Sequence, residues 1–337
     1  MNFSPTEKHK QIFKETKPLL HWDGTKPLNE HRQECKERLI NLLGLDNMKK
    51  CEPLLQIIKR ESIKENEHIH FAVQTEKDYF VNCHLLFPKN MKEALPLCTC
   101  LEGHVSGAHL ALGIEKFPYD EVYISHDVDF CTQAVKNGFV GLAIEQRCFG
   151  ENGGSLENGA TDCTHSAMGA ILMGRTLIGE RVWDIQRVID AVIKSFGDIV
   201  TMKGSILMGE SGGGTATYYT ACLDDRFELY VPIVALSTYE ESIMAISHCT
   251  CNYIPGIAKC FDMGDLAILI APKKLLVFST TKDEWFPLEG AKKAYKEIER
   301  IYKATGAENK CKMLIAEGGH RFFAEQGWSE MLKLIDL

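Results

Sequence analysis

The chain has 337 residues, 45% of them hydrophobic and 25% charged, a composition typical of a folded globular protein with a large core. Its formal net charge of -8 offers no basic surface for nucleic acid or for an anionic membrane, so we expect neither as a partner. No apolar run approaches the ~20 residues of a membrane span, and the first residues lack the apolar core of a signal peptide. Because the thirteen cysteines have no regular spacing, we expect a cytoplasmic protein with reduced thiols.

The first 50 residues are polar and carry no motif. Residues 29–43 have leucines and isoleucine spaced among charged residues, and Gly44 follows, which predicts a helix with a glycine stop. We expect residues 1–50 to form a helical arm packed on a single main domain, residues 51–337.

The next segment, residues 53–88, alternates between apolar and polar residues. The pattern predicts three strands, Leu55–Arg60, His68–Val73 and Tyr79–Phe87, paired antiparallel at one edge of a sheet. His68 and His70 fall on one face of the second strand. Without a third ligand nearby, we expect a solvated face there rather than a metal site.

Beyond residue 94, short apolar runs alternate with longer helical segments. Apolar runs without polar alternation indicate strands buried on both faces, and strict alternation of strand and helix indicates a parallel sheet with right-handed crossovers. The expected strands are Leu95–Leu101, Phe139–Ile144, Ser205–Met208, Leu229–Leu236, Lys274–Phe278 and Lys312–Ile315; the expected helices are Phe130–Lys136, Arg181–Ser195, Thr215–Leu223 and Pro287–Tyr302. In such sheets, sites form at the carboxyl ends of the strands.

One of these strand ends carries the sequence Gly209-Glu210-Ser211-Gly212-Gly213. An apolar run that ends in Gly-x-Ser-x-Gly before a helix is the pattern of a nucleophile elbow, which holds a serine at the apex of a strained turn. Glycine is needed at the outer positions because a Cβ would collide with the tightly folded backbone. Chance produces this pentapeptide on the order of 0.1 times per chain of this composition, so the serine needs partners.

Two further strand ends supply those partners. Asp283 follows the strand Lys274–Phe278, and His320 lies in a glycine-containing loop after Lys312–Ile315. The order Ser211, Asp283, His320 is that of the α/β-hydrolases. A serine hydroxyl needs a base to take its proton, an imidazole can accept it and return it to the leaving group, and a carboxylate orients the imidazole. We therefore expect a Ser-His-Asp catalytic triad.

The loops after the first two buried strands have other roles. The loop that contains Gly103, His104 and Val105 can direct a backbone N–H at a developing oxyanion, with the second N–H coming from Gly212. We assign Gly212, His104 and Val105 to an oxyanion hole. In the loop of residues 145–154, we expect Arg147 to join loops through hydrogen bonds rather than to bind substrate.

The cysteines raise the question of a metal. His248-Cys249-Thr250-Cys251 together with Cys260 could suggest zinc, but structural zinc sites usually draw on two well-spaced ligand pairs. Cys98 and Cys100 lie in a buried strand, where thiols pack as small apolar groups. We therefore expect no metal and no cofactor.

From about Cys98 onward, the chain resembles the α/β-hydrolases of the acetylxylan-esterase-like and dienelactone-hydrolase-like groups. The resemblance rests on Gly174-Arg175, Trp183-Asp184 with Arg187 and Asp190, Gly209–Thr215, Cys249-x-Cys251-Asn252-Tyr253-x-Pro255-Gly256, Asp262-x-Gly264-Asp265-Leu266, Ala271-Pro272 and Asp283-x-x-Phe286-Pro287. It implies an α/β-hydrolase fold, a mostly parallel twisted sheet with antiparallel N-terminal strands and helices on both faces. It also implies Ser211 as nucleophile, Asp283 as acid and His320 as base. Two carboxylates depart from the usual pattern, Glu102 in the oxyanion loop and Glu210 beside the nucleophile.

We expect a serine hydrolase of small soluble carboxylic esters, with acetyl esters among the candidates, and neither nucleic acid nor membrane as a partner; the sequence leaves the oligomeric state open. Two alternatives stay open at this point, a serine peptidase or amidase of the same fold and a ligand-binding protein on a hydrolase scaffold. The long connection 237–270 is a candidate lid or pocket wall, although an extra packing layer without substrate contact explains its length equally well.

Overall fold

A computed structural model describes residues 3–153 and 162–335. Its centre is a nine-stranded sheet in the order β1-β2-β3-β5-β4-β6-β7-β8-β9. The strands are β1 Leu55–Ile63, β2 Asn66–Glu76, β3 Tyr79–Pro88, β4 Leu95–Leu101, β5 Val140–Ile144, β6 Val200–Glu210, β7 Leu229–Ile233, β8 Lys274–Thr280 and β9 Cys311–Ala316. The first three pair antiparallel, β3 joins β5 antiparallel, and β4 to β9 run parallel. This is the α/β-hydrolase arrangement that the sequence predicts, with its antiparallel strands at one edge.

Helices lie against the sheet on both sides. They are α1 Pro5–Glu15, α2 Leu28–Leu43, α3 Asp120–Ile124, α4 Phe130–Lys136, α5 Thr164–Leu172, α6 Leu177–Ser195, α7 Gly212–Leu223, α8 Ala267–Ile270, α9 Leu288–Ala304 and α10 Ala324–Ile335. Two large apolar clusters form, one containing α2, α6 and α7 residues and the other containing α4 and α10 residues. Every residue of β5 and β7 is buried, as expected for strands covered on both faces.

The helix predicted at Arg181 in fact begins four positions earlier, at Leu177. Thr176 caps it, because its side chain accepts a hydrogen bond from the amide of Gly179 at 3.0 Å. Gly179 lies in the first turn and hides the helical pattern, since glycine is a poor helix former. A Cβ at Gly179 would approach the Leu43 carbonyl oxygen, so the glycine permits the end of α2 to pack there.

The expectation of a solvated face at His68 and His70 is wrong for His68. His68 is buried, and its Nε2 lies 3.0 Å from Nδ1 of His84 on the neighbouring strand β3. The ring of His70 stacks on His84 with centroids 4.5 Å apart. Burial lowers the pKa of both His68 and His84, which favours their neutral forms.

The predicted helix 29–43 is confirmed as α2, and Gly44 ends it with φ of 74°. Residues 19–21 run along the connection 237–270. The amides of Leu19 and Leu20 donate to the carbonyls of Lys259 and Cys260, and His21 Nδ1 lies 2.8 Å from Asp265 Oδ1. The N-terminal segment therefore contacts chain that lies more than 200 positions away.

The described helices include none that is long and apolar enough to cross a membrane. The outermost residues of the expected domain ranges, 1–2 and 336–337, and Gly154 of the loop after β5 lie outside the described residues.

Candidate active site

Ser211 lies at the sharp turn between β6 and α7, with φ of 54° and ψ of -115°. A non-glycine residue with positive φ is strained, and such residues concentrate at functional sites. The turn leaves no room for side chains on its flanks. A Cβ on Gly209 would lie 2.5 Å from the Gly213 backbone, and one on Gly213 would lie 2.1 Å from the Leu101 carbonyl oxygen. The local sequence thus builds the elbow that it predicts.

Asp283 and His320 meet at the ends of β8 and β9. Both carboxylate oxygens of Asp283 lie 2.9 Å from His320 Nδ1. The carboxylate is buried, and its Oδ1 also accepts the amide N–H groups of Trp285 and Phe286 at 2.8 and 2.9 Å. These bonds fix the orientation of the carboxylate, which in turn fixes the imidazole and leaves Nε2 for the substrate side.

Ser211 and His320 line one cavity of about 400 Å³ at the carboxyl ends of the strands. Its wall also contains residues that the sequence analysis did not assign to a site. These are Tyr123, His126, Val128, Ser247, Asn252, Trp285 and Phe286. Asn252 and Phe286 belong to stretches that carry the family resemblance, which gave them no role, and the other five lie in segments without a recognisable motif. The connection 237–270 contributes Ser247, His248, Cys249 and Asn252, which places it at the cavity wall.

The three residues assigned to an oxyanion hole differ in their surroundings. Gly212 is the first residue of α7, where amides lack intrahelical partners. The amide of Val105 donates to the Gly103 carbonyl at 2.9 Å and is therefore engaged. Gly103 packs against Ser211, since a Cβ there would lie 3.0 Å from Ser211 Cβ. The imidazole of His104 packs on Gly212 and points away toward cysteines.

The two unusual carboxylates take different positions. Glu210 lines the cavity, whereas Glu102 is buried beneath the loop. Burial raises the pKa of Glu210 to about 7, against the opposing effects of His320 and Arg321. Burial, reinforced by the charges of Glu145 and Glu210, raises the pKa of Glu102 well above its usual range. Among the described residues, Oε2 of Glu210 and Oε1 of Glu102 have no hydrogen-bond partner.

Beside the cavity, four potential metal ligands converge. His104 Nε2 and the Sγ atoms of Cys163, Cys249 and Cys251 all lie within 4.8 Å of one another. Of the earlier zinc candidates, His248 instead contacts Ser242 and the Trp285 carbonyl, and Cys260 hydrogen-bonds through its backbone to Leu20. Sequence reasoning weighed Cys249 and Cys251 but missed the cluster, because His104 and Cys163 lie far from them along the chain.

Arg147 joins several segments behind the site, as the sequence predicts. Its guanidinium bonds bidentately to Asp184, with distances of 2.6 and 2.9 Å, and reaches Glu76 at 2.7 Å and Glu180 at 3.1 Å. The side chain also stacks over the ring of Tyr79. All these partners are protein groups, so Arg147 connects β2, β3 and α6.

No family model matches the chain. It is 25% identical over 295 residues, 86% of this chain and 94% of the relative, to the proposed hydrolase YtaP of Bacillus subtilis strain 168. A proposed acetyl xylan esterase of Bacteroides fragilis NCTC 9343 superposes with a TM-score of 0.78 at 14% identity, covering 94% of this chain and 83% of the other. A glucuronoyl esterase from Solibacter usitatus superposes with a TM-score of 0.67 at 14% identity, covering 95% and 96%. These likenesses show the α/β-hydrolase fold.

Proposed function

We propose that this protein is a serine-dependent hydrolase of small carboxylic esters that works through an acyl-enzyme. One observation carries the proposal. The strained Ser211 and the Asp283-oriented imidazole of His320 line the same cavity at the carboxyl edge of the sheet. A nucleophile, a base and the group that orients the base are the components that acyl transfer to serine needs.

The reaction proceeds in two stages. Ser211 Oγ attacks the ester carbonyl while His320 Nε2 takes the hydroxyl proton, and the imidazole returns this proton to the departing alcohol. The amide of Gly212, with an amide of the 103–105 loop, donates to the oxyanion. A water molecule then attacks the acyl-enzyme, His320 takes its proton, and the carboxylic acid leaves as Ser211 recovers its hydrogen.

The cavity supports a small substrate. A volume of about 400 Å³ falls in the lower part of the range of ligand pockets. Rings of Tyr123, Trp285 and Phe286 give apolar surface, while Ser247 and Asn252 offer hydrogen bonds for an alcohol or sugar portion. The similarity to a proposed hydrolase and to esterases agrees with this class of reaction. Glu210 in the wall disfavours acidic substrates, because a second buried negative charge is costly.

Labelling with a fluorophosphonate tests the nucleophile. We expect stoichiometric labelling of the purified chain, mapped by mass spectrometry to the peptide that contains Ser211. Ser247→Ala removes another serine of the same cavity and should still be labelled, whereas Ser211→Ala should not. Labelling that persists in Ser211→Ala would refute the assignment.

A paired panel of esters and amides then tests the reaction class. Matched acetyl, propionyl and butyryl esters and the corresponding anilides differ only in the leaving group. We expect hydrolysis of the short esters and much slower hydrolysis of the anilides. Faster cleavage of the anilides would instead make the protein an amidase or peptidase, and labelling without turnover of any compound would indicate a binding protein.

A further inference from the structure

We propose that His104, Cys163, Cys249 and Cys251 bind one zinc ion that fastens the oxyanion loop to the connection 237–270. The chemistry of the donor set fits zinc, because three thiolates and one imidazole are an established ligand set for structural zinc in proteins. A structural site of this kind has four protein ligands and no water in the coordination sphere. The site is separate from the proposed ester chemistry, which uses Ser211, Asp283 and His320.

The distances fit a tetrahedron around one small cation. His104 Nε2 lies 3.3 Å from Cys251 Sγ and 3.8 Å from Cys163 Sγ. All four ligand atoms lie within 4.8 Å of one another. Zinc bonded to sulfur at ~2.3 Å and to nitrogen at ~2.0 Å gives tetrahedral edges of about 3.5–3.8 Å. Small rotations of the side chains would bring all four groups to these edges.

Two of the four ligands are fully buried, and the other two, His104 and Cys249, are half-buried at the cavity wall. Cys163 and Cys251 are 2% and 1% exposed, and the ring of His104 packs edge-on against Phe149, with centroids 4.9 Å apart. Four sulfur and nitrogen donors converge here, whereas Cys98 and Cys100 contact each other, with Sγ atoms 3.8 Å apart, and the backbone carbonyl of Cys98.

A buried arginine beside the cluster provides a second, independent observation. Arg181 is 1% exposed, and no carboxylate of a described residue lies within ion-pair distance of its guanidinium. Its Nη2 donates to Cys163 Sγ at 3.3 Å and to the Arg147 carbonyl at 2.8 Å, while Nη1 has no hydrogen-bond partner among the described residues. A cation buried without a counter-charge is costly.

Zinc binding supplies that counter-charge. Zn²⁺ with three thiolates and a neutral imidazole carries a single net negative charge, which Arg181 balances. The hydrogen bond from Arg181 to Cys163 then acts as a support for a metal-bound sulfur, as is common around metal sites. Three neutral thiols would leave the positive charge of Arg181 without a negative partner. A disulfide between two of the cysteines would leave only one thiol that could ionise to supply that charge.

The four ligands come from three segments that no regular structure joins. His104 lies in the loop after β4, Cys163 precedes α5, and Cys249 and Cys251 belong to the connection 237–270. His104 also packs on Gly212, whose amide is the proposed oxyanion donor. The ion therefore holds the wall of the cavity and the oxyanion loop at a fixed separation.

The metal content of the full-length protein tests this proposal. The protein is purified under reducing conditions without a histidine tag, and metals are measured by inductively coupled plasma mass spectrometry. We expect about one zinc per chain in the wild type, and a drop of at least fivefold in Cys163→Ser, Cys249→Ser and Cys251→Ser. Cys260→Ser removes a buried thiol from the same connection outside the cluster, and it should retain the full zinc content.

Cobalt gives a signature that does not depend on activity or on how well a variant folds. Wild-type protein reconstituted with Co²⁺ should show thiolate-to-cobalt charge-transfer absorption and the intense visible bands of a tetrahedral ion. Wild-type protein that contains no zinc, shows no such bands with Co²⁺ and has all thirteen thiols free to alkylating reagent would overturn the proposal. A mass lower by one disulfide that maps to the cluster would overturn it as well, and neither outcome bears on labelling of Ser211.

Discussion

Two histidines lie near Ser211, and they differ in the chemical groups that their rings contact. His320 faces a carboxylate, Asp283, which holds one ring nitrogen at 2.9 Å and leaves the other toward the cavity. His104 faces sulfur, with Nε2 lying 3.3 Å from Cys251, and its ring covers Gly212. Both imidazoles line the same cavity. That both residues are histidines therefore does not tell which one acts as the base in the proposed reaction. We infer this role from the group that each ring contacts.

The largest expected effect separates the two rings by activity. His320→Ala and Asp283→Asn should each lower kcat for a short acyl ester by about 10⁴-fold, because triad members act as a unit and a wrong tautomer is nearly inactive. His104→Ala should lower it by no more than about 10²-fold, the size of a lost positioning contact. Equal losses in His104→Ala and His320→Ala would contradict the assignment of roles.

The second effect concerns stability on the side of the thiols. Zinc at a free concentration a thousandfold above its Kd adds about 4 kcal/mol to the free energy of unfolding. Removing the metal with 1,10-phenanthroline should cancel this stabilisation and lower Tm by roughly 5–10 °C. Differential scanning calorimetry measures the shift. Cys251→Ser should melt at the same temperature with and without the chelator. A chelator response in that variant as large as in the wild type would place the metal elsewhere.

The third effect tests the carboxylate beside the nucleophile. Burial raises the pKa of Glu210 to about 7, so the folded chain holds this proton in a pH range where the unfolded chain has lost it. Below about pH 4.5 Glu210 is protonated in both the folded and the unfolded chain and does not destabilise the fold. As the pH rises through 7, burial of this group lowers the free energy of unfolding. Glu210→Gln should therefore be more stable than the wild type at pH 8.5 by up to about 3 kcal/mol.

Urea denaturation at the two ends of that range measures this difference. The free energies of unfolding of Glu210→Gln and the wild type should agree near pH 4.5 and diverge above pH 7. Glu289→Gln, on the surface of α9, is the matched control and should follow the wild type throughout. A constant offset at all pH values would show that the substitution acts by packing and not through ionisation.

The smallest expected effect tests the contact between His104 and Gly212, the residue after Ser211. A Cβ on Gly212 would lie 2.8 Å from Cε1 of His104, so Gly212→Ala must displace the imidazole or the elbow. We expect a loss of about 10- to 100-fold in kcat together with weaker metal retention. Gly169→Ala, within α5, is the control, since a Cβ there meets no atom within 4 Å and the backbone is helical. Loss of activity with unchanged zinc content would show that a change at the Ser211 turn does not affect the proposed zinc site.

The elements that the sequence predicted best are those with a local cause. The sheet followed from apolar runs, α2 ended at its glycine, and the elbow followed from the glycines around Ser211. Each depends on residues within a few positions of one another. The contact between Asp283 and His320 also has a simple cause, since both follow a strand end, where the topology itself brings loops together.

What the sequence did not provide depends on distant parts of the chain. His104 and Cys251 are 147 positions apart, and no spacing rule connects them. His68 is buried against another histidine, His84 on β3. In the sequence both histidines count as polar positions, so the alternating pattern gives no sign that they meet in the interior. The start of α6 was missed because Gly179 weakens the helical pattern. This glycine allows the end of α2 to approach closely, and that contact is not visible in the local sequence.

The contact of residues 19–21 with the connection 237–270 has a consequence for biosynthesis. The bond between His21 and Asp265 spans 244 positions, so residues 19–21 are synthesised long before residue 265 and cannot dock until it has left the ribosome. Until then Leu20 and the buried face of α2 are exposed. During that interval these few buried side chains lie in an otherwise polar segment, so the delay leaves little apolar surface in water.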